Sequence, residues 1–139
     1  MRKTGFLLSI LFLSGCALRA PILKEETRKA RQIPLGTLRT EVKRIMGDAT
    51  VIGYQKGGQD TKEFIPISLK NPCRIDSITA PDQNKYEVIY YFVRIKYQDG
   101  AITDDELMPF VFKDDRLIGK GWGFLNHLKG QPTIKSPAS

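Results

Sequence analysis

Tyr86-Glu87-Val88-Ile89-Tyr90-Tyr91-Phe92-Val93-Arg94-Ile95-Lys96-Tyr97-Gln98 is the strongest strand signal in the chain. Successive side chains of a strand point to opposite faces. One face here carries Tyr86, Val88, Tyr90 and Phe92. The other carries Glu87, Ile89, Tyr91, Val93, Ile95 and Tyr97. Both are largely apolar over the middle, which predicts a central strand covered on both sides, or on one side by aromatics. Asp99-Gly100 ends it.

The segments around it read mostly as β. Leu107–Lys113 and Arg116–Trp122 are expected to form a hairpin about Asp114-Asp115. Cys73–Ala80 alternates weakly and runs into the turn residues Pro81-Asp82-Gln83-Asn84. Ala49–Tyr54 reads as a short strand, followed by a loop through Gly57-Gly58. Glu63–Leu69 is interrupted by Pro66, hence an edge strand or a loop. Two helical signals flank this β region. Leu38, Val42, Ile45 and Met46 recur at helical spacing on one face, with Thr37 as the expected cap and Gly47 as the expected left-handed stop. Phe124–Leu128 reads as one last helical turn. The expected fold is α+β, with short helices packed on a small, mainly antiparallel sheet.

The chain has 139 residues, 22 Lys+Arg, 15 Asp+Glu and one His, for a formal charge of +7. That length suits one domain. The hydrophobic content of 41% rules out a wholly disordered chain. Two cysteines and one histidine leave little for a transition-metal centre.

The N-terminus reads as an address. Arg2 and Lys3 form a positive region, and Gly5 to Gly15 is uncharged. As a helix this stretch is roughly 16 Å long, too short for a hydrocarbon core of about 30 Å. It has the proportions of a signal-peptide core. Leu13-Ser14-Gly15-Cys16 resembles the lipobox of bacterial lipoproteins, in which cleavage before the cysteine follows its lipidation. The resemblance implies a lipid anchor on Cys16. With Ala17 rather than Asp after it, it implies sorting to the outer membrane of a Gram-negative host, on the periplasmic face. The expected organisation is a signal peptide over 1–15, the lipidated cysteine and a basic, partly helical tether over 16–32, an α+β domain over 33–128, and a disordered tail over 129–139. Cys73 then has no intramolecular partner, and is read as a small buried hydrophobe rather than a reactive or intermolecular cysteine.

Gly36-Thr37-Leu38-Arg39-Thr40-Glu41-Val42 through Met46-Gly47 resembles the signature of small envelope lipoproteins of the SmpA/OmlA (BamE-like) type. Asp99-Gly100-Ala101-Ile102-Thr103-Asp104-Asp105-Glu106-Leu107-Met108-Pro109-Phe110-Val111-Phe112, with Leu117-Ile118-Gly119-Lys120-Gly121-Trp122, is similar to a pattern of uncharacterised bacterial lipoproteins. Asn71-Pro72-Cys73-Arg74 resembles the stretch before their central strand. Met108 and Lys120 stand where that pattern has Thr and Trp, and Leu38 stands where the family caps its helix. The resemblance implies short helices on an antiparallel sheet, and an envelope β-barrel or assembly protein as partner.

Asp99, Asp104, Asp105 and Glu106 bring several carboxylates into one loop, as a hard cation needs, but without the alternating order of an EF-hand. A solvated, turn-capping loop is the simpler reading. His127 has no nucleophile at a recognisable spacing. No metal, cofactor or nucleic acid is expected. Most aromatics belong in the core, while Tyr90, Tyr91 and Trp122 are the candidates for partner contact. The expected role is structural or accessory, in outer-membrane protein assembly or envelope integrity, without catalysis. The alternative is a protein-inhibitor or ligand-binding module of the periplasm; an enzyme using Asp104, Glu106 or His127 is the third.

Overall fold

A computed structural model describes residues 19–60, 62–95 and 101–130. In chain order the elements are α1 (Arg19–Gln32), α2 (Arg39–Met46), β1 (Ala49–Lys56), β2 (Phe64–Lys70), β3 (Arg74–Thr79), β4 (Lys85–Phe92), a 3-10 turn (Asp104–Glu106), β5 (Leu107–Lys113), β6 (Arg116–Lys120) and α3 (Trp122–Leu128). Strands β3-β4-β5-β6 form an antiparallel meander, and β1-β2 form a separate antiparallel hairpin. The chain is an α+β protein, as its patterning predicts.

Strand β4 lies inside the meander and is covered on both faces. On one face Ile89, Tyr91, Phe110, Phe112 and Leu117 pack with Ala30 and Ile33 at the end of α1 and with Val42 and Met46 of α2. On the other, Tyr86, Val88, Tyr90, Phe92 and Val111 pack with Leu125 of α3 and with Ile52 and Leu69 of the hairpin. The register explains the division: Ile89 opposes Phe110, and Val88 opposes Val111, so each pair shares one face. Burying a large apolar side chain contributes about 1.5–3 kcal/mol, so the two aromatic layers hold the sheet. Tyr91 meets Phe110 edge to face at 5.1 Å between centroids.

The turns follow the sequence closely. Asp114 and Asp115 both take positive φ, 49° and 63°, the backbone of a two-residue hairpin loop matched to strand twist. At the β3–β4 turn the Asp82 carboxylate accepts from the Asn84 N–H at 2.9 Å. Gly119 is a close-packing glycine: a Cβ there would lie 2.2 Å from the Phe124 ring.

Three expectations are corrected. The central strand ends at Phe92: residues 93–95 are not strand, and residues 96–98 of the expected strand lie outside the described residues. Beyond it the Val93 and Arg94 N–H groups donate to the Glu106 carbonyl at 3.1 and 3.4 Å, leaving the ladder for the 3-10 turn. Thr37 does not cap α2, because its hydroxyl donates to the Pro34 carbonyl at 2.7 Å. The helix start is satisfied by backbone instead, with the Arg39 N–H donating to the Asp115 carbonyl at 2.9 Å. Leu38 is exposed, not part of the buried face. Gly47 does take positive φ, 75°, and its N–H donates to the Lys43 carbonyl at 2.8 Å.

The segment expected as tether is helical from Arg19, and its last turns dock on the sheet. Glu26, Ala30 and Ile33 are buried, and the Thr27 hydroxyl donates to the Val93 carbonyl at 2.8 Å. The Lys120 ammonium donates to the Ala30, Arg31 and Ile33 carbonyls at 3.0, 2.8 and 2.7 Å. A cation there satisfies orphan carbonyls and complements the helix dipole. Partial burial pulls its pKa below the ordinary lysine value.

Candidate functional site

The two edges of the meander differ. Along β6 the chain covers its own edge. Gly36 N–H donates to the Leu117 carbonyl at 2.7 Å, Leu117 N–H donates to the Thr37 carbonyl at 2.9 Å, and Leu38 bridges Arg116. Along β3 no further strand pairs with the edge among the described residues. An open edge presents unpaired backbone groups, which proteins commonly blunt with Lys or Pro. Residues 74–79 contain neither. Ile75 is 53% exposed on the α2-facing side, and Ser77 is exposed beside it.

Residues of α2 and β3 together line two concavities, which define a groove between the two elements. At one end Arg39 binds both Glu87 carboxylate oxygens, at 2.9 and 3.0 Å, and pairs with Asp115 at 3.0 Å. Its hydrogen bond to Glu87 holds the guanidinium above the ordinary arginine value. These groups, with Ser77 and Lys85, line a concavity of about 240 Å³. At the other end a concavity of about 400 Å³ is lined by Lys43, Asp48, Lys70, Cys73, Arg74 and Ile75. Three cations and one carboxylate make it basic. Arg74 lies 3.9 Å over the Tyr90 ring and 3.2 Å from Asp76. Lys43 and Lys70 have no carboxylate partner among the described residues.

Asn71 fixes the floor of this region. It is fully buried. Its amide donates to Thr50 Oγ1 at 2.8 Å and to the Phe92 carbonyl at 3.4 Å, and its Oδ1 accepts from the Phe92 N–H at 2.9 Å. One side chain thereby ties the β1 hairpin to the end of β4. The loop end of that hairpin exposes Tyr54, Phe64 and Ile65.

The candidates named from sequence are placed as follows. Cys16 and Asp99 lie outside the described residues. Tyr90 and Tyr91 are corrected: both are at most 1% exposed and belong to opposite core layers, so neither meets a partner. Trp122 is half-buried against Tyr90, and its indole N–H donates to the Asp104 and Leu107 carbonyls at 2.8 and 3.0 Å. Asp104, Asp105 and Glu106 form the 3-10 turn. Glu106 is buried and accepts from the Thr103 N–H at 3.0 Å, closing a capping box. No cluster of metal-ligating side chains occurs among the described residues. His127 is exposed on α3. Cys73 is half-buried, donates to the Lys70 carbonyl at 3.7 Å, and has its thiol pKa pushed up by burial. It lines the basic concavity without being activated. Lys43, Lys70, Asn71 and Lys120 went unassigned from sequence, because each acquires its role from pairing that the local pattern does not encode.

No helix among the described residues is long and apolar enough to cross a membrane. Compared with protein-family models, curated proteins and solved structures, the chain finds no match.

Proposed function

We propose that the chain is a lipid-anchored outer-membrane protein with a structural or accessory role, docking another envelope component through the open edge of β3. The observation that carries this reading is the contrast of edges. A chain that covers β6 with its own residues 36–39 leaves the outer side of β3 without a paired strand among the described residues, with exposed Ile75 and Ser77 on its α2 side. Strand addition to such an edge is an established mode of peptide recognition. Leu13-Ser14-Gly15-Cys16 supports the anchor. A diacylated or triacylated cysteine holds a protein at a bilayer durably, where a single chain does so marginally. By the SmpA/OmlA (BamE-like) resemblance, a component of β-barrel assembly is the first partner class.

Metabolic labelling with radioactive palmitate, followed by membrane fractionation, tests the anchor. Label in the wild-type chain at outer-membrane density, absent from Cys16→Ser, is the expected result. An unlabelled chain recovered in the soluble fraction contradicts the reading.

A further inference from the structure

The groove between α2 and β3 has two kinds of recognition element side by side. One is a line of backbone, the free side of β3. At about 3.4 Å per residue it offers roughly 20 Å to a partner strand. The other is charge: Lys43, Lys70 and Arg74 surround one concavity with Asp48 as the only carboxylate lining it. Lys43 and Lys70 are exposed and have no carboxylate partner among the described residues. Between the two lies Ile75, an apolar side chain 53% exposed on the groove side.

We propose that this groove binds an extended acidic segment of a partner protein, which adds to β3 as a further strand and sets its carboxylates against Lys43 and Lys70, Arg74 being already paired with Asp76 and Asp104. The proposal rests on the reading of β3 as a docking edge and names the chemistry of the partner. A phosphate or lipid headgroup would use the cations but not the backbone line or Ile75. An extended peptide uses all three. Its alternate side chains would fall on the α2 side with Ile75, Ser77 and Thr79, none of which is charged, and the residues between them would fall on the opposite face. The Arg39–Glu87–Asp115 network closes the far end of the groove with its charges already paired. That end sets Arg39 and Lys85 against Glu87, Asp114 and Asp115, so the attraction is concentrated at the Lys43–Lys70 end.

The test uses the full chain, purified in detergent, and fluorescence anisotropy of a labelled synthetic peptide of alternating Asp and Val. A Lys-Val peptide is the charge control. The variants are Lys43→Glu with Lys70→Glu, which reverses the charge, and Ile75→Ala, which removes the exposed apolar side chain and leaves every charge in place. Circular dichroism checks that each remains folded. The expected result is saturable binding of the Asp-Val peptide, weakened by salt and about tenfold weaker in the double reversal. Binding is also weakened in Ile75→Ala, and the Lys-Val peptide does not bind. Equal binding of both peptides, or full affinity in both variants, overturns the proposal. So does adsorption of the Cys16→Ser chain to phosphatidylglycerol vesicles that depends on Lys43 and Lys70 while the Asp-Val peptide stays unbound, which makes the concavity a headgroup site. The anchor is judged separately. Peptide binding by a chain that takes no palmitate leaves the groove standing without the anchor, and palmitate incorporation with no peptide bound does the reverse.

Discussion

On the β6 side of the sheet, residues 36–39 lie along the edge, Arg116 donates to the Gly36 carbonyl at 3.0 Å, and Lys120 reaches up to close α1. On the β3 side the sheet stops at a strand with nothing paired to it among the described residues. The exposed apolar side chains of the two edges are alike: Leu38 is 47% exposed and Ile75 is 53% exposed. What differs is the strand beneath them: residues 36–39 pair with the β6 edge, and no strand pairs with the outer side of β3 among the described residues. Under the proposed function, unused hydrogen-bonding capacity rather than exposure alone sets the docking edge apart. Stability should accordingly depend on the covered edge and the core, and binding on the open one.

The largest effect is expected at the root of the open side. Asn71→Ala removes three buried hydrogen bonds and leaves the Phe92 N–H without its partner, a loss of about 3 kcal/mol. Urea unfolding reads it, and a loss below about 1 kcal/mol would mean the hairpin is not held there. Gly119→Ala on β6 drives a methyl group into the Phe124 ring and should cost about 2 kcal/mol by the same measurement. Lys120→Met keeps the aliphatic stem and removes the three bonds to the end of α1. A loss of about 1.5 kcal/mol is expected, with faster amide exchange in α1 than in β4. Uniform exchange across both would dissolve the link between β6 and α1.

Tyr91→Phe is a smaller effect of the opposite kind. The Tyr91 hydroxyl is buried with no hydrogen-bond partner among the described residues, so its removal should leave stability unchanged or raise it by less than about 1 kcal/mol. Burial, and then the charges of Asp48 and Glu87, push its pKa up from 10.0 to about 12. The unfolded chain therefore releases this proton first. Stability is fully present below pH 10 and is lost as the pH rises from 10 towards 12. The phenylalanine variant should flatten that alkaline decline, and an unchanged slope would count against a buried phenol. Last, Ile75→Lys on the open edge should change stability by no more than about 0.5 kcal/mol.

The fold was legible where periodicity and turn chemistry agree. The two apolar faces of Tyr86–Phe92 became two core layers, and Asp114-Asp115 became the two-residue loop. The same alternation already argues against Tyr90 and Tyr91 as partner contacts, since a strand covered on both sides has no aromatic to spare at its centre. The docking of α1 was hidden because its buried stripe, Glu26, Ala30 and Ile33, includes a charge and a methyl group and shows no apolar run. The candidate site was hidden more deeply. Whether β3 is an edge depends on strand order, and the basic concavity gathers Lys43, Lys70 and Arg74 from three elements. No local pattern encodes either.

The comparison of edges is tested most directly by photocrosslinking in living cells. The full chain would carry a photoreactive phenylalanine analogue at Ile75 or, as the matched control, at Leu38. A discrete crosslinked partner from position 75, absent or much weaker from position 38, is the predicted result. Equal yields from both positions, or none above background from 75, would contradict β3 as the docking edge.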